Sequence, residues 1–99
     1  MLLSSATGNA FAVQGKALAI LLKRLRELRQ RHDLSQEAFA ERAGMSYKYY
    51  QAVEAGRKKQ LRLSTVEKLA AAYRIEVWEL LSPVAPRKTA LATKRIRPR

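Results

Sequence analysis

The sequence contains no cysteine and only one histidine, His32, among its 99 residues. Without cysteine the chain has neither disulfide bonds nor the thiolate ligands of a zinc finger, and one histidine cannot form a two-histidine metal motif. A cysteine nucleophile is excluded as well. We therefore expect no enzymatic activity, no bound metal and no cofactor, and we expect the hydrophobic core alone to stabilise the fold.

Acidic residues are also scarce: there are eight of them against 20 lysines and arginines, which gives a formal net charge of +12. Six of the basic residues lie in residues 83–99, where there is no acid, and residues 16–82 still carry a net charge of +6. In so short a chain this excess predicts a polyanionic partner, with nucleic acid favoured over an anionic membrane surface.

No apolar run is long enough to cross a bilayer, since the run Ala17–Leu22 is far shorter than a spanning helix requires. Residues 1–15 carry no charged side chain, so the positively charged start of a secretory signal is missing. We expect a cytoplasmic protein without a membrane partner.

Two short helical patterns meet within Leu34–Gly56, at a turn that contains Gly44. Ser35 and Ser46 are good N-caps for the first and second patterns, and Gly56 ends the second. Helices joined by so short a turn cross steeply, which is the geometry of a helix-turn-helix. In that motif the second helix enters the major groove of DNA.

Three further helices are predicted around this motif. Leucines at three- and four-residue spacing follow Lys16, and Ser64-Thr65-Val66-Glu67 has the form of a capping box that starts a fourth helix. A fifth helix, over residues 76–81, ends before Pro83.

No segment alternates with a period of two, and the basic segment RKKQLRL after Gly56 has no helical period. We therefore predict an all-α fold with one five-helix domain at residues 16–82. A flexible N-terminal arm at residues 1–15 precedes the domain, and a basic, disordered C-terminal tail at residues 83–99 follows it.

These segments together resemble the Cro/phage-repressor (XRE-type) helix-turn-helix family, which has a five-helix, lambda-repressor-like DNA-binding domain. The pieces that match in order and spacing are LRELRQRHDLSQEAFAERAGMS, AVEAGRK, LSTVEKLAAAY and IEVWELL. The resemblance covers residues 18–82. It implies a sequence-specific regulator of transcription that binds double-stranded DNA, represses at a palindromic operator and associates with the nucleoid when it is bound to DNA.

The resemblance also implies site residues. The side chain after the cap of the second helix lies against the DNA backbone in this family, and the first turn of the third helix meets base edges. The DNA-binding residues implied here are Gln36, Ser46, Tyr47, Lys48, Tyr49, Gln51 and Ala52. The run of positive charge after Gly56 adds Arg57, Lys58 and Lys59 as contacts to the DNA backbone. Arg29 and Glu54 match an ion pair between the first and third helices.

The chain departs from the family's usual pattern at Tyr47-Lys48-Tyr49-Tyr50, where short polar residues or arginine are common. Tyr50 occupies a position that is normally aliphatic, so we expect it to point inward with its hydroxyl near the rim of the core. Tyr47 and Lys48 then remain free for the groove, and Tyr49 either contacts a phosphate or packs.

One helix-turn-helix reads only a few base pairs, so we expect a homodimer, with an interface at Trp78 and Leu81. Two other functions remain open. The first is an antitoxin that binds a toxin protein, and the apolar residues that could form its toxin-binding segment are Leu2, Leu3, Phe11 and Val13. The second is a non-specific nucleic-acid or RNA binder. The sequence does not distinguish a toxin–antitoxin, a restriction–modification and a phage role.

Overall fold

The computed structural model describes residues 12–91, which form five helices and a two-stranded sheet. The elements follow one another as β1 (Ala12–Gln14), α1 (Gly15–Arg31), α2 (Gln36–Ala43), α3 (Tyr47–Glu54), β2 (Gln60–Arg62), α4 (Leu63–Ala72) and α5 (Val77–Leu81). The five predicted helices are thus present. None of the helices within residues 12–91 is long and apolar enough to cross a membrane.

The domain is mostly helical, as predicted, but it is not strictly all-α, because β1 and β2 pair as antiparallel strands with Val13 opposite Leu61. Leu61 is buried and Val13 packs against the core. Each strand has only three residues, too few to show a period-two pattern in the sequence. Part of the predicted arm is therefore a strand, and residues 1–11 of that arm lie outside the described residues.

The core forms where α1 buries one face against the other helices. Leu18, Leu21, Leu25 and Leu28 of α1 are all buried, as their spacing predicted. Facing them is an aromatic group in which the ring of Phe39 stacks on Tyr73 at 4.7 Å and lies 5.0 Å from Tyr50.

Local capping signals determine the corner between α2 and α3. The hydroxyl of Ser35 accepts a hydrogen bond from the Ala38 N–H, and that of Ser46 accepts one from the Tyr49 N–H. Gly44 has a φ of 75°, in the left-handed region, which reverses the chain between the two helices. The predicted caps of both helices are confirmed.

The predicted capping box at the start of α4 was wrong. α4 begins at Leu63, directly after β2, with Arg62 as its N-cap and no capping hydrogen bond from a side chain. The strand therefore places the helix start two residues earlier than a capping box of Ser64 and Glu67 requires. A capping box is present in α5 instead, where the backbone N–H of Glu76 donates to the side chain of Glu79 at 2.9 Å.

The segment of residues 86–91 lies against the domain, and here the structure differs from the prediction of a disordered tail. Arg31 Nη1 donates to the Pro86 carbonyl at 2.8 Å, and the Ala90 N–H donates to the Tyr73 carbonyl at 3.2 Å. Pro86 is buried and Leu91 packs on the core. Residues 92–99 of the predicted tail lie outside the described residues.

Candidate nucleic-acid interface

α3 has one buried face and one open face. Tyr50, Val53 and Glu54 are buried. Tyr47 and Lys48 are exposed and Gln51 and Ala52 are half-buried, and a helical rotation of about 100° per residue places these four side chains on the same side. We call this set, Tyr47, Lys48, Gln51 and Ala52, the open face of α3.

Two contacts restrict the aromatic side chains of this helix. The Gln51 Nε2 amide donates to the Tyr47 hydroxyl at 3.3 Å, and the ammonium of Lys58 lies 5.2 Å from the centre of the Tyr49 ring, in a cation–π contact. Tyr49 is half-buried and packs against the core and the Lys58 ammonium.

Tyr50 points inward, as its position predicted, but its hydroxyl does not reach the rim. The side chain is fully buried and its hydroxyl donates to Oε2 of Glu54, one turn further along α3. Burial, followed by the hydrogen bond to Glu54, raises the pKa of the Tyr50 hydroxyl far above its usual value. The tyrosine is thus a neutral donor.

Arg29 and Glu54 form the ion pair between α1 and α3 that the sequence predicted. The guanidinium binds the carboxylate in a bidentate manner, with Nε 2.8 Å from Oε2 and Nη2 3.0 Å from Oε1. Arg29 Nη1 also donates to the Leu34 carbonyl at 2.9 Å, which holds the end of the α1–α2 connection. Since the Glu54 side chain is 3% exposed, its charge depends on these donors.

The pKa of Glu54 reflects two opposing effects. Burial alone would raise this pKa, but hydrogen bonds from Arg29, Tyr50 and Gln36 outweigh burial and hold the pKa below the carboxyl's usual value. The pKa of Arg29 is raised, chiefly by its hydrogen bond to Glu54, against the effect of its own burial. Both groups are therefore charged over the whole physiological range.

Gln36, the first residue of α2, is the third donor to this carboxylate. Its Nε2 donates to Glu54 Oε1 at 2.8 Å. The family resemblance implied a phosphate contact for Gln36, and this stays a prediction. The same side chain also joins α2 to α3. Sequence reasoning missed the bond to Glu54 because nothing in the local pattern links residues so far apart.

The basic segment beyond Gly56 lies next to the end of α3. Gly56 has a φ of 79°, and the backbone N–H of Arg57 returns to the Ala52 carbonyl at 3.0 Å. The charged side chains here are exposed, and they are Arg57, Lys58, Lys59 and Arg62. The structure therefore presents positive charge beside the open face of α3.

The two residues expected at a dimer interface differ in their exposure. Trp78 is 68% exposed, whereas Leu81 is half-buried and packs against the core. Val84, in the segment after α5, is 72% exposed. An apolar surface near α5 is thus present at Trp78 and Val84 rather than at Leu81.

The comparison with known families agrees with this geometry. A family model described as helix-turn-helix, of the XRE type, matches residues 25–78. The matched range begins within α1 and ends within α5, so it includes α2, α3 and the whole Glu54 network. No curated protein matches the chain.

Proposed function

The chain belongs to the XRE-type helix-turn-helix family of DNA-binding regulators, and from this we propose that it is a sequence-specific transcriptional repressor that acts as a homodimer at a palindromic operator. The observation that carries the proposal is the open face of α3 with the exposed basic segment beside it. A helix that displays polar and aromatic side chains next to concentrated positive charge has the form of a major-groove reader.

Three side chains of the open face read bases. Lys48 donates to O6 and N7 of guanine, Gln51 pairs with adenine and Ala52 contacts the methyl group of thymine. The hydrogen bond between Gln51 and the Tyr47 hydroxyl supports this assignment, because it uses one amide hydrogen and leaves the other hydrogen and Oε1 for a bidentate contact with adenine.

The remaining predicted residues hold the DNA backbone. Gln36 lies at the N-terminus of α2, where free backbone N–H groups and the helix dipole favour a phosphate. Arg57, Lys58 and Lys59 bind phosphates beside α3, and Lys58 also stays within reach of Tyr49. These contacts supply affinity for DNA of any sequence, while the open face of α3 supplies the preference for one DNA sequence over another.

The homodimer is supported by the exposure of Trp78, since large aromatic side chains are enriched in interfaces and rare on free surfaces. The antitoxin alternative depended on an apolar segment outside the domain, and Val13, one of its four candidates, belongs to β1 and packs on the core. Leu2, Leu3 and Phe11 lie outside the described residues. We therefore propose repression as the function and keep the antitoxin as the alternative.

The test is selection of duplex sequences from a random pool by the full chain, followed by competition binding at fixed salt. We expect a two-fold symmetric sequence, and we expect Lys48→Ala and Gln51→Ala each to reduce its preference over random DNA by about 1–3 kcal/mol, the discrimination that one good base pairing provides. Lys68→Ala, which removes an exposed charge from α4, is the control. An equal fall in affinity for operator and random DNA in Lys48→Ala would show that α3 does not read bases through this face.

A further inference from the structure

A basic pocket of about 540 Å³ is present at the ends of α1 and α4. Three chain segments contribute polar or charged side chains to it, and these are Arg31, His32, Arg74, Arg87, Lys88 and Thr89. None of the described residues that line the pocket is acidic. Four permanent positive charges thus face one concavity.

The walls of the pocket are held in place by hydrogen bonds within the chain. The His32 ring Nε2 and the Thr89 hydroxyl are 2.7 Å apart, and Arg31 Nη1 donates to the Pro86 carbonyl at 2.8 Å. Arg74 Nε donates to the Leu91 carbonyl at 3.4 Å. The pocket is therefore a formed part of the fold, because the segment of residues 86–91 is fastened to both helices.

Most of the donors that face the pocket are not used by these bonds. Arg31 and Arg74 each engage one guanidinium nitrogen with a carbonyl, which leaves their other N–H groups available. Within residues 12–91 no hydrogen bond or ion pair joins Arg87 or Lys88 to another side chain. Clustered cations of this kind repel one another, and an anion bound among them removes the repulsion.

The two helices beside the pocket end in well-formed caps, which fix the positions of His32 and Arg74. Among the described residues only Asp33 and Arg74 combine a side chain with a positive φ, at 56° and 57°. Arg74 lines the pocket and Asp33 directly follows His32. Both residues end a helix in a Schellman motif, since the Leu34 N–H donates to the Arg29 carbonyl at 3.0 Å and the Ile75 N–H donates to the Ala70 carbonyl at 3.1 Å.

We propose that this pocket binds a compact polyanion that carries phosphate groups, of the class of a di- or triphosphate. Guanidinium groups bind phosphate oxygens through paired N–H donors, and the pocket volume is within the range of small-ligand sites. The four cations come from three chain segments that meet at one place, which suits a compact ligand better than an extended backbone. Such a ligand bridges α1, the turn after α4 and residues 87–89, and so it gives the domain a direct chemical input.

The experiment is calorimetric titration of the full chain with inorganic phosphate, pyrophosphate and tripolyphosphate at constant ionic strength. We expect saturable binding of one tripolyphosphate per chain, tighter than phosphate, with a rise in the melting temperature. The double variant Arg87→Gln/Lys88→Gln should weaken tripolyphosphate binding by about tenfold or more, because it removes two of the four positive charges that face the ligand. The control is Lys23→Gln/Lys68→Gln, which removes the same charge at exposed positions of α1 and α4 outside the pocket and outside the proposed DNA-binding surface.

Equal weakening in both double variants would overturn the proposal, since it would mean that net charge and not the pocket attracts the anion. Absence of saturable binding to the wild type would also overturn it. A random-sequence duplex distinguishes the source of the phosphate. Unchanged duplex affinity in Arg87→Gln/Lys88→Gln supports a free ligand, whereas a fall in duplex affinity as large as that for tripolyphosphate overturns the free ligand and assigns the pocket to the DNA backbone.

Discussion

The hydroxyl of Tyr50 donates to the carboxylate of Glu54, which lies one helical turn further along α3. Arg29 of α1 and Gln36 of α2 donate to the same carboxylate. Glu54 therefore joins the three helices that form the DNA-binding corner. The buried carboxylate holds α3 in its orientation against α1 and α2, although Glu54 is not part of the open face.

Replacing Glu54 with Gln should destabilise the domain by about 3 kcal/mol. The change removes the charge that Arg29 neutralises and leaves a guanidinium whose side chain is only 18% exposed. Urea unfolding at pH 7 measures the effect, and Glu67→Gln, at an exposed position of α4, is the control. If both variants unfold at the same urea concentration, the Glu54 network does not stabilise the fold.

Stability should also fall in acid in a way that depends on Glu54. The folded state holds the pKa of Glu54 below its ordinary value, so at pH values between the folded and the unfolded pKa the unfolded state binds more protons. The contribution is complete above the unfolded pKa of about 4.3 and disappears as the pH falls through the folded value. Unfolding measured between pH 5 and pH 2 should show a shallower dependence in Glu54→Gln than in the wild type, and equal dependences would contradict this origin.

The exposed lysines after α3 should determine how strongly salt weakens DNA binding. In Lys58→Gln/Lys59→Gln the slope of log affinity against log salt should become shallower by about 0.9 for each phosphate that is no longer neutralised. Affinity for all sequences should fall together, because phosphates carry no sequence information. Binding isotherms at several salt concentrations give the slope, and Lys68→Gln should leave it unchanged.

Trp78→Ala should shift the protein from dimer to monomer. The change removes most of the apolar area of an exposed side chain, and central aromatic side chains often dominate interface energies. Sedimentation with and without operator reports the state of each protein. Tyr47→Ala removes another exposed aromatic side chain, from the open face of α3, and should leave the dimer intact. A wild type that binds a palindromic operator as one subunit per site would rule the dimer out.

Leu91→Ala should lower the stability of the domain although Leu91 lies beyond the last helix. The side chain packs on the core, and its truncation should cost about 1 kcal/mol, which corresponds to a fall of about 4–8 °C in the melting temperature. Val84→Ala is the matched control, since Val84 is 72% exposed. Equal melting temperatures for the two variants would show that the segment near Leu91 adds no stability.

The features that the sequence predicted well are those with local physical causes. A capping serine needs only the backbone N–H three residues later, so Ser35 and Ser46 were identified together with Gly44. The leucines of α1 were equally visible, because a helical period repeats within one segment. The resemblance to a known family, and not any local pattern, paired Arg29 with Glu54.

The features that were missed depend on contacts between distant parts of the chain. The pairing of Val13 with Leu61 and the bond from Gln36 to Glu54 have no local signal. The docking of residues 86–91 uses backbone carbonyls, such as that of Pro86, as acceptors. Every residue carries a carbonyl, so such acceptors give no signal in the sequence. The composition of the segment therefore predicted disorder, although hydrogen bonds hold residues 86–91 against the domain.

The pairing of Val13 with Leu61 also has a consequence for the order of folding. The strand pair closes a loop that contains α1, α2 and α3. Closing this loop restricts the chain, and the hydrogen bonds between the strands must offset that entropic cost. The contacts between α2 and α3 are local in sequence and carry no such cost, so they form early. We therefore expect the corner between α2 and α3 to assemble before β1 and β2 pair.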